Sequence, residues 1–231
     1  MYFPFYYEPT MILIIPALIL VIYAQIKVKG TYNKYSKVYA RNGLTGAEVA
    51  SKLLKENGIH DVNIKQIPGN LSDHYHPGKK ELNLSRNVYG SSSLAAIGVA
   101  AHETGHAIQH DREYKPLSIR ASLVPAANIG SNWGLPLAVI GYFIRADFMI
   151  GLGLVLFIAA FLFHLVTLPV EFNASNRAIA LLSAGHYLNT KELKGAKKVL
   201  RAAAFTYVAA TLMALANLLR ILVLFGLSRD D

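Results

Sequence analysis

The sequence predicts a mostly helical membrane protein in which four transmembrane helices carry a polar region of mixed helices and strands. Hydrophobic residues make up 53% of the 231 residues and charged residues only 16%, whereas about 25% charged residues is usual in soluble globular domains. Four stretches have roughly the 20 apolar residues that a membrane-spanning helix needs. Cysteine is absent, which excludes disulfides, iron–sulfur clusters, Cys-ligated zinc and thiol catalysis.

The four apolar stretches divide the chain into five parts. Asn128, Ser131 and Asn132 interrupt the second stretch, which is the weakest of the four. Residues 145–147 alone separate the second stretch from the third, so these two predict a hairpin. The stretches are 10–26, 122–144, 148–170 and 202–227, and the predicted parts are a first transmembrane helix (1–26), a polar region (27–121), a transmembrane hairpin of helices two and three (122–170), a second polar region (171–201), and a fourth transmembrane helix with a C-terminal tail (202–231).

The distribution of positive charge predicts the orientation in the membrane. With four crossings, regions 27–121 and 171–201 lie on the same side, and they hold 14 and 6 of the 23 Lys and Arg residues. Positive charge near the ends of spanning helices favours the cytoplasmic side. Topology therefore explains the net charge of +9, and no basic–aromatic module predicts nucleic-acid binding. We expect a multi-pass protein of the cell membrane whose polar regions are cytoplasmic and whose partners include the bilayer.

The polar regions predict helices that alternate with short strands. Thr45 and Glu48 form a capping box at the start of an amphipathic helix. Residues 81–85, ELNLS, form the return strand of a hairpin. As an edge strand they could bind an extended substrate, and a plain structural strand is an equal alternative. The predicted elements are helix 45–57, strand 62–67, a hairpin over 73–85 that turns near Pro77-Gly78, a long helix from Leu94 to about His110 and, after Pro169, helices 171–185 and 190–201.

The long helix carries the pattern HExxH, as His102-Glu103-Thr104-Gly105-His106. A spacing of four places both imidazoles on one helix face, one turn apart, so both can reach one zinc ion at about 2.1 Å. Glu103 projects beside them and can reach a metal-bound water as general base. Two structural histidines with a surface glutamate are the alternative, but the apolar residues that precede the motif favour a buried zinc site.

A catalytic zinc needs a third protein ligand. His110 lies about 12 Å from His102 along a straight helix, which is too far to share one metal ion. Glu171 is the better candidate, because a carboxylate at the membrane edge usually has a charged partner. The alternative is a glutamate that only stabilises the start of the next helix through the macrodipole.

Three segments, HETGH, DHYHPGKKELNLS and PVEFNASNRA, resemble the YugP-type neutral zinc metallopeptidases of bacteria and archaea, and the resemblance covers nearly the whole chain. The chain is more distantly similar to HtpX heat-shock proteases and CAAX prenyl endopeptidases. The resemblance implies a cytoplasmic zincin-like α+β catalytic domain with a small β-sheet, and a membrane endopeptidase of gluzincin type. It also implies Zn²⁺ as cofactor, with His102, His106 and Glu171 as ligands and Glu103 as base.

The chain departs from its distant relatives four residues after the ligand glutamate. Those relatives have an aspartate there, whereas this sequence has Ser175, followed by Asn176. Either side chain could accept the N–H of a ligand imidazole, although more weakly than a carboxylate would.

Several further residues are candidates for lesser roles. Oxyanions in such enzymes are often stabilised by tyrosine, histidine or arginine, and the candidates here are Tyr75, Arg177, His186 and Tyr187. His74 and His76 could hold a second metal, but solvated loop histidines are more common. His164 most simply forms a hydrogen bond within the helical bundle.

The predicted activity is zinc-dependent hydrolysis of peptide bonds in membrane-associated or juxtamembrane substrates. The first alternative is a non-proteolytic membrane adaptor that keeps a structural zinc or none. A zinc-binding transporter is a weaker alternative, because the best ligands lie at the membrane edge rather than in mid-bilayer. Glu103 favours the enzyme, because a purely structural site would not need a general base.

Overall fold

The computed structural model describes residues 9–229, with the side chains of residues 11–223 and 226. The ends of the predicted first and last parts, residues 1–8 and 230–231, lie outside the described residues. In chain order the elements are α1 (Ile15–Tyr35), α2 (Gly46–Glu56), β1 (Asn63–Ile67), β2 (His74–His76), β3 (Glu81–Ser85), α3 (Arg86–Tyr89), α4 (Leu94–Asp111), α5 (Lys115–Ile129), α6 (Leu135–Phe143), α7 (Asp147–Ala184) and α8 (Thr190–Arg229).

The chain divides into two compact units. Residues 9–24, 119–167 and 207–229 belong to the first unit, which contains most of the apolar sequence. Gln25–Ser118 and Leu168–Thr206 form the second unit, which contains the sheet, α2, α4 and the HExxH motif.

Three helical stretches in the described part of the chain are long and apolar enough to cross a membrane. They are Met11–Tyr35, Asp147–Ala184 and Thr190–Val223. The second predicted stretch is helical, but it is divided into α5, a π-helical segment Gly130–Gly134, and α6. Pro125 lies inside α5, and Gly130 approaches the Leu156 carbonyl of α7 so closely that a Cβ there would lie 2.0 Å from that oxygen. Small residues permit such close helix packing, and a fourth span stays a prediction.

The separate helices predicted for 171–185 and 190–201 are wrong as independent elements. Residues 171–184 are the final part of α7, which contains Pro169 in its interior. Residues 190–201 are likewise the first part of α8. Proline removes one backbone donor, but long apolar helices commonly tolerate it because their other hydrogen bonds persist.

The sheet is mixed and has the strand order β1-β3-β2. β3 pairs in parallel with β1 and antiparallel with β2. The predicted hairpin 73–85 is present. Of the two interpretations of ELNLS, the edge strand is wrong and the plain structural strand agrees with the structure. β3 is the central strand and Leu82 and Leu84 are fully buried, so β2 and β1 form the edges. The parallel pairing of β3 with β1, which precedes the hairpin in the chain, could not be recognised from the alternation of apolar and polar residues alone.

Helix α4 passes between two groups of buried residues in the second unit. Ser93 caps it, because its side chain accepts the Ala96 N–H at 3.2 Å. One face of α4 packs with residues of α7 and α8, and the other packs against β3 and α2. The predicted helix at 45–57 is also present as α2, and both hydrogen bonds of its capping box form. Packing on both faces holds the HExxH helix firmly, which positions the residues described next.

Candidate metal centre

His102, His106 and Glu171 converge to form a group that could hold a metal ion. The ligand atoms of these three side chains all lie within 4.8 Å of one another. The Oε2 atom of Glu171 lies 3.2 Å from His102 Nε2 and 3.7 Å from His106 Nε2. Ligand atoms about 2.1 Å from a tetrahedral zinc are roughly 3.4 Å apart, so these separations suit one zinc ion. Among the described residues, this is the one group in which three or more metal-binding side chains converge.

Gly105 explains how α7 comes close enough to α4 to supply Glu171. A Cβ at Gly105 would lie 2.8 Å from the Ala174 carbonyl oxygen and 3.2 Å from its Cα. The two helix backbones are therefore in contact at a point where no side chain fits. Ala174 lies three residues after Glu171, so the contact holds the carboxylate opposite the two imidazoles.

Each ligand imidazole has a hydrogen-bond partner on its second ring nitrogen. His102 Nδ1 lies 3.2 Å from Ser175 Oγ, and His106 Nδ1 lies 2.9 Å from Gln109 Oε1. An imidazole that donates from Nδ1 keeps the lone pair of Nε2 for a metal. Ser175, rather than the exposed Asn176, makes the contact with His102.

A hydrogen-bond network fixes the orientation of Gln109. Its Nε2 donates to the Val170 carbonyl at 2.8 Å and to Asn173 Oδ1 at 3.0 Å. The amide oxygen must therefore face His106. Arg177 Nε donates to the same Asn173 oxygen at 2.7 Å. This candidate residue therefore contacts the hydrogen-bond network that orients His106 and not the ligand atoms themselves.

Gln109 and Asn173 were missed by sequence reasoning. Gln109 is fully buried and follows His106 by three residues on the same helix. A buried amide one turn from a ligand histidine was an available signal. Asn173 carried none, because its partner Gln109 lies 64 residues away in the chain.

The donor set suits a divalent cation electrostatically. Two imidazole nitrogens and one carboxylate face each other in a site where Glu171 is only 2% exposed. Burial by itself lowers the pKa of His106, but the carboxylates of Glu171 and Glu103 outweigh burial and raise it above its ordinary value. A buried cation would offset the same excess of negative charge, so the residues present fit zinc.

Glu103 lies beside the edge strand β2. Its Oε2 accepts the backbone N–H of Tyr75 at 3.1 Å, and the side chain is largely buried. Tyr75 pairs with Leu82 of β3, and its N–H points away from that strand. The carboxylate is therefore held between the histidine helix and the outer edge of the sheet.

The hydroxyl of Tyr75 points away from the ligand group. It lies 2.9 Å from His110 Nδ1, at the C-terminal end of α4. Burial, with smaller contributions from Asp61 and Asp111, raises the pKa of Tyr75 to about 12. His110 is thus engaged with Tyr75 and is not part of the convergent ligand group.

The remaining candidates lie elsewhere. His186 is exposed in the turn after α7, about 20 Å from Glu171 along the helix. Tyr187 donates its hydroxyl to Glu56. His74 Nε2 accepts from Asn83 and His76 Nδ1 accepts the Lys79 N–H, and neither histidine belongs to the convergent group of metal-binding side chains.

Comparison with known proteins agrees with this chemistry. The family described as "Putative neutral zinc metallopeptidase" matches residues 10–226. The "Putative membrane protease YugP" of Bacillus subtilis (strain 168) is 45% identical over 219 residues, which are 95% of this chain and 97% of that protein. No solved structure matches the chain. The predicted family and the predicted zinc cofactor are confirmed: the chain belongs to the neutral zinc metallopeptidases.

Proposed function

We propose that the chain is an integral-membrane zinc endopeptidase that cleaves membrane-associated or juxtamembrane peptide segments at the cytoplasmic surface. One observation carries the proposal: His102, His106 and Glu171 converge while Glu103 lies next to them, within reach of an edge strand. A purely structural zinc site would not require a buried carboxylate beside its ligands.

The residues of the site would have different roles in the reaction. His102, His106 and Glu171 would hold the zinc ion, which when bound supplies Lewis acidity and lowers the pKa of a bound water towards 7. Glu103 takes a proton from the attacking water and delivers it to the leaving amine. Ser175 and Gln109 hold the two imidazoles in the orientation that this chemistry needs.

Strand β2 is the proposed binding edge for an extended substrate. It replaces ELNLS in that role, because β3 is central and both of its edges are paired. The outward N–H of Tyr75 donates to Glu103 Oε2, so a peptide that pairs with β2 at this residue would take over that hydrogen bond and lie beside the base. Main-chain hydrogen bonds to such an edge give affinity without requiring a particular substrate sequence.

The membrane location rests on α7 and on the charge distribution. Glu171 follows His164 by seven residues in this apolar helix, which is about 10 Å. A site so close to an apolar span suits interfacial peptides better than large folded proteins. The concentration of 20 of the 23 Lys and Arg residues in the two polar regions favours the cytoplasmic side.

The test of the mechanism compares Glu103→Gln with Glu113→Gln, a matched change at an exposed carboxylate outside the site. Both purified proteins should keep about one zinc per chain, and only Glu103→Gln should lose peptide hydrolysis, by several orders of magnitude. Full hydrolysis by Glu103→Gln would refute the mechanism. Zinc binding by the wild-type chain without cleavage of any tested peptide would favour the adaptor.

The test of substrate class uses one peptide sequence in two forms, free in solution and fused beside a membrane helix in reconstituted vesicles. We expect faster cleavage of the fused form at matched total concentration. Equal or faster cleavage of the free peptide would show a general peptidase that is merely anchored.

A further inference from the structure

A basic groove lies between α1 and α8 in the second unit. Lys27 and Lys34 line it from α1, and Lys198 and Arg201 line it from α8. The groove encloses about 450 Å³, and none of the described residues that line it is acidic. This groove is separate from the metal ligands, none of which lines it.

Helical spacing directs these cations into the same space. Lys27, Thr31 and Lys34 follow the i, i+4, i+7 pattern of one helix face, and Lys198 and Arg201 are three residues apart on α8. Gly30 lies between the two lysines of α1, and a Cβ at this position would meet nothing within 4 Å. The middle of the groove is therefore open between two pairs of cations.

The groove lies where two apolar helical segments end. The apolar run of α1 ends at Ile26, immediately before Lys27, and the apolar part of α8 begins at Ala202, immediately after Arg201. In a membrane protein this is the level at which hydrocarbon gives way to lipid headgroups. The Lys27 ammonium also lies 5.1 Å from the centroid of the Phe205 ring, a cation–π contact that orients it at this level.

Membrane topology alone does not account for the arrangement. The cytoplasmic bias of Lys and Arg requires cations near helix ends, but it does not require cations of two helices to converge around one open groove. Basic pockets between spanning helices commonly bind anionic headgroups. Ile26 is 67% exposed directly before the groove, which provides apolar surface for an acyl chain.

We propose that this groove binds the phosphate-bearing headgroup of an anionic phospholipid. The cations pair with the phosphate oxygens, the Thr31 hydroxyl can donate to them, and an acyl chain begins beside the exposed Ile26 side chain. The proposal does not depend on peptidase activity.

The experiment measures lipid binding to the purified full-length chain in a nonionic detergent by native mass spectrometry. Phosphatidylglycerol and phosphatidylcholine with identical acyl chains are titrated separately. The wild-type chain should bind phosphatidylglycerol at least about tenfold more tightly than phosphatidylcholine. Lys34→Gln/Lys198→Gln should weaken that binding by on the order of tenfold or more. Gly30→Leu, which keeps all charges but fills the groove, should weaken it as well.

The matched control is Lys52→Gln/Lys55→Gln, which removes two exposed cations of α2 away from the groove. This control should bind phosphatidylglycerol as the wild type does, and an equal loss would show diffuse attraction and overturn the proposal. Equal binding of the two lipids would overturn it as well. If inorganic phosphate at constant ionic strength binds as tightly as the lipid, the groove is a phosphate site and not a lipid site.

Discussion

Substitution Gly105→Ala tests whether the contact between α4 and α7 creates the metal centre. The added Cβ would lie 2.8 Å from the Ala174 carbonyl oxygen, about 0.6 Å inside an ordinary contact of 3.4 Å. The atom in the way of the new methyl group is a backbone oxygen, so no side-chain rotation can relieve the contact. Helix α7 must move away instead. Such overpacking costs about 1–3 kcal/mol, partly offset by roughly 1 kcal/mol of improved helix propensity.

The effect on the metal should exceed the effect on stability. Ligand distances tolerate only about 0.2 Å, so a shift of α7 by about half an ångström displaces Glu171 from the ligand sphere. We expect zinc affinity to fall by on the order of 10–100-fold, measured by competition with a chelator, with a modest fall in melting temperature. Gly151→Ala is the control, because this glycine also lies in α7 and a Cβ there meets nothing within 4 Å. Unchanged zinc affinity in Gly105→Ala would refute the reasoning.

Three further experiments test the support of the ligands, the role of the Tyr75 hydroxyl and the orientation in the membrane. Gln109→Ala should reduce zinc affinity by about 10–100-fold in a chelator titration. Ser175→Ala should reduce zinc affinity less, because the serine hydroxyl lies farther from its imidazole than the Gln109 oxygen does. A larger loss in Ser175→Ala than in Gln109→Ala would contradict the assigned network. Tyr75→Phe should lower the free energy of unfolding by about 0.5–1.5 kcal/mol but leave hydrolysis within a few-fold, and a loss of several orders of magnitude in a folded protein would instead identify the hydroxyl as catalytic. In intact cells, an impermeant thiol reagent applied outside should label Arg145→Cys but not Lys55→Cys, and the opposite pattern would reverse the predicted topology.

Local patterns in the sequence predicted the features that depend on neighbouring residues. The helix that carries His102 and His106 follows from serine capping and apolar periodicity, and the distance argument against His110 agrees with its contact with Tyr75. Glu171 could be selected because a carboxylate at an apolar boundary needs a partner. These inferences required only helical geometry and the energetic cost of burying charge.

Features that depend on contacts between distant segments were not predictable in the same way. The central position of β3 depends on parallel pairing with β1, which no turn signal marks. Pro169 suggested a helix boundary, but the remaining hydrogen bonds of α7 carry the helix past it. Gly105 occupies a variable position of HExxH, and nothing in the sequence marks the Ala174 backbone that lies against it.

One short stretch of α7 supplies both the third candidate ligand and the supports of the other two. Glu171 and Ser175 are one turn apart and so lie on the same face, where they meet the same imidazole on opposite ring nitrogens. The Val170 carbonyl and Asn173 hold Gln109, which orients the second imidazole. A displacement of residues 170–175 would therefore disturb all three ligands together, although two of them belong to α4. The two halves of the centre are thus mutually dependent, and metal affinity should respond to the position of α7 as a unit rather than to each contact separately.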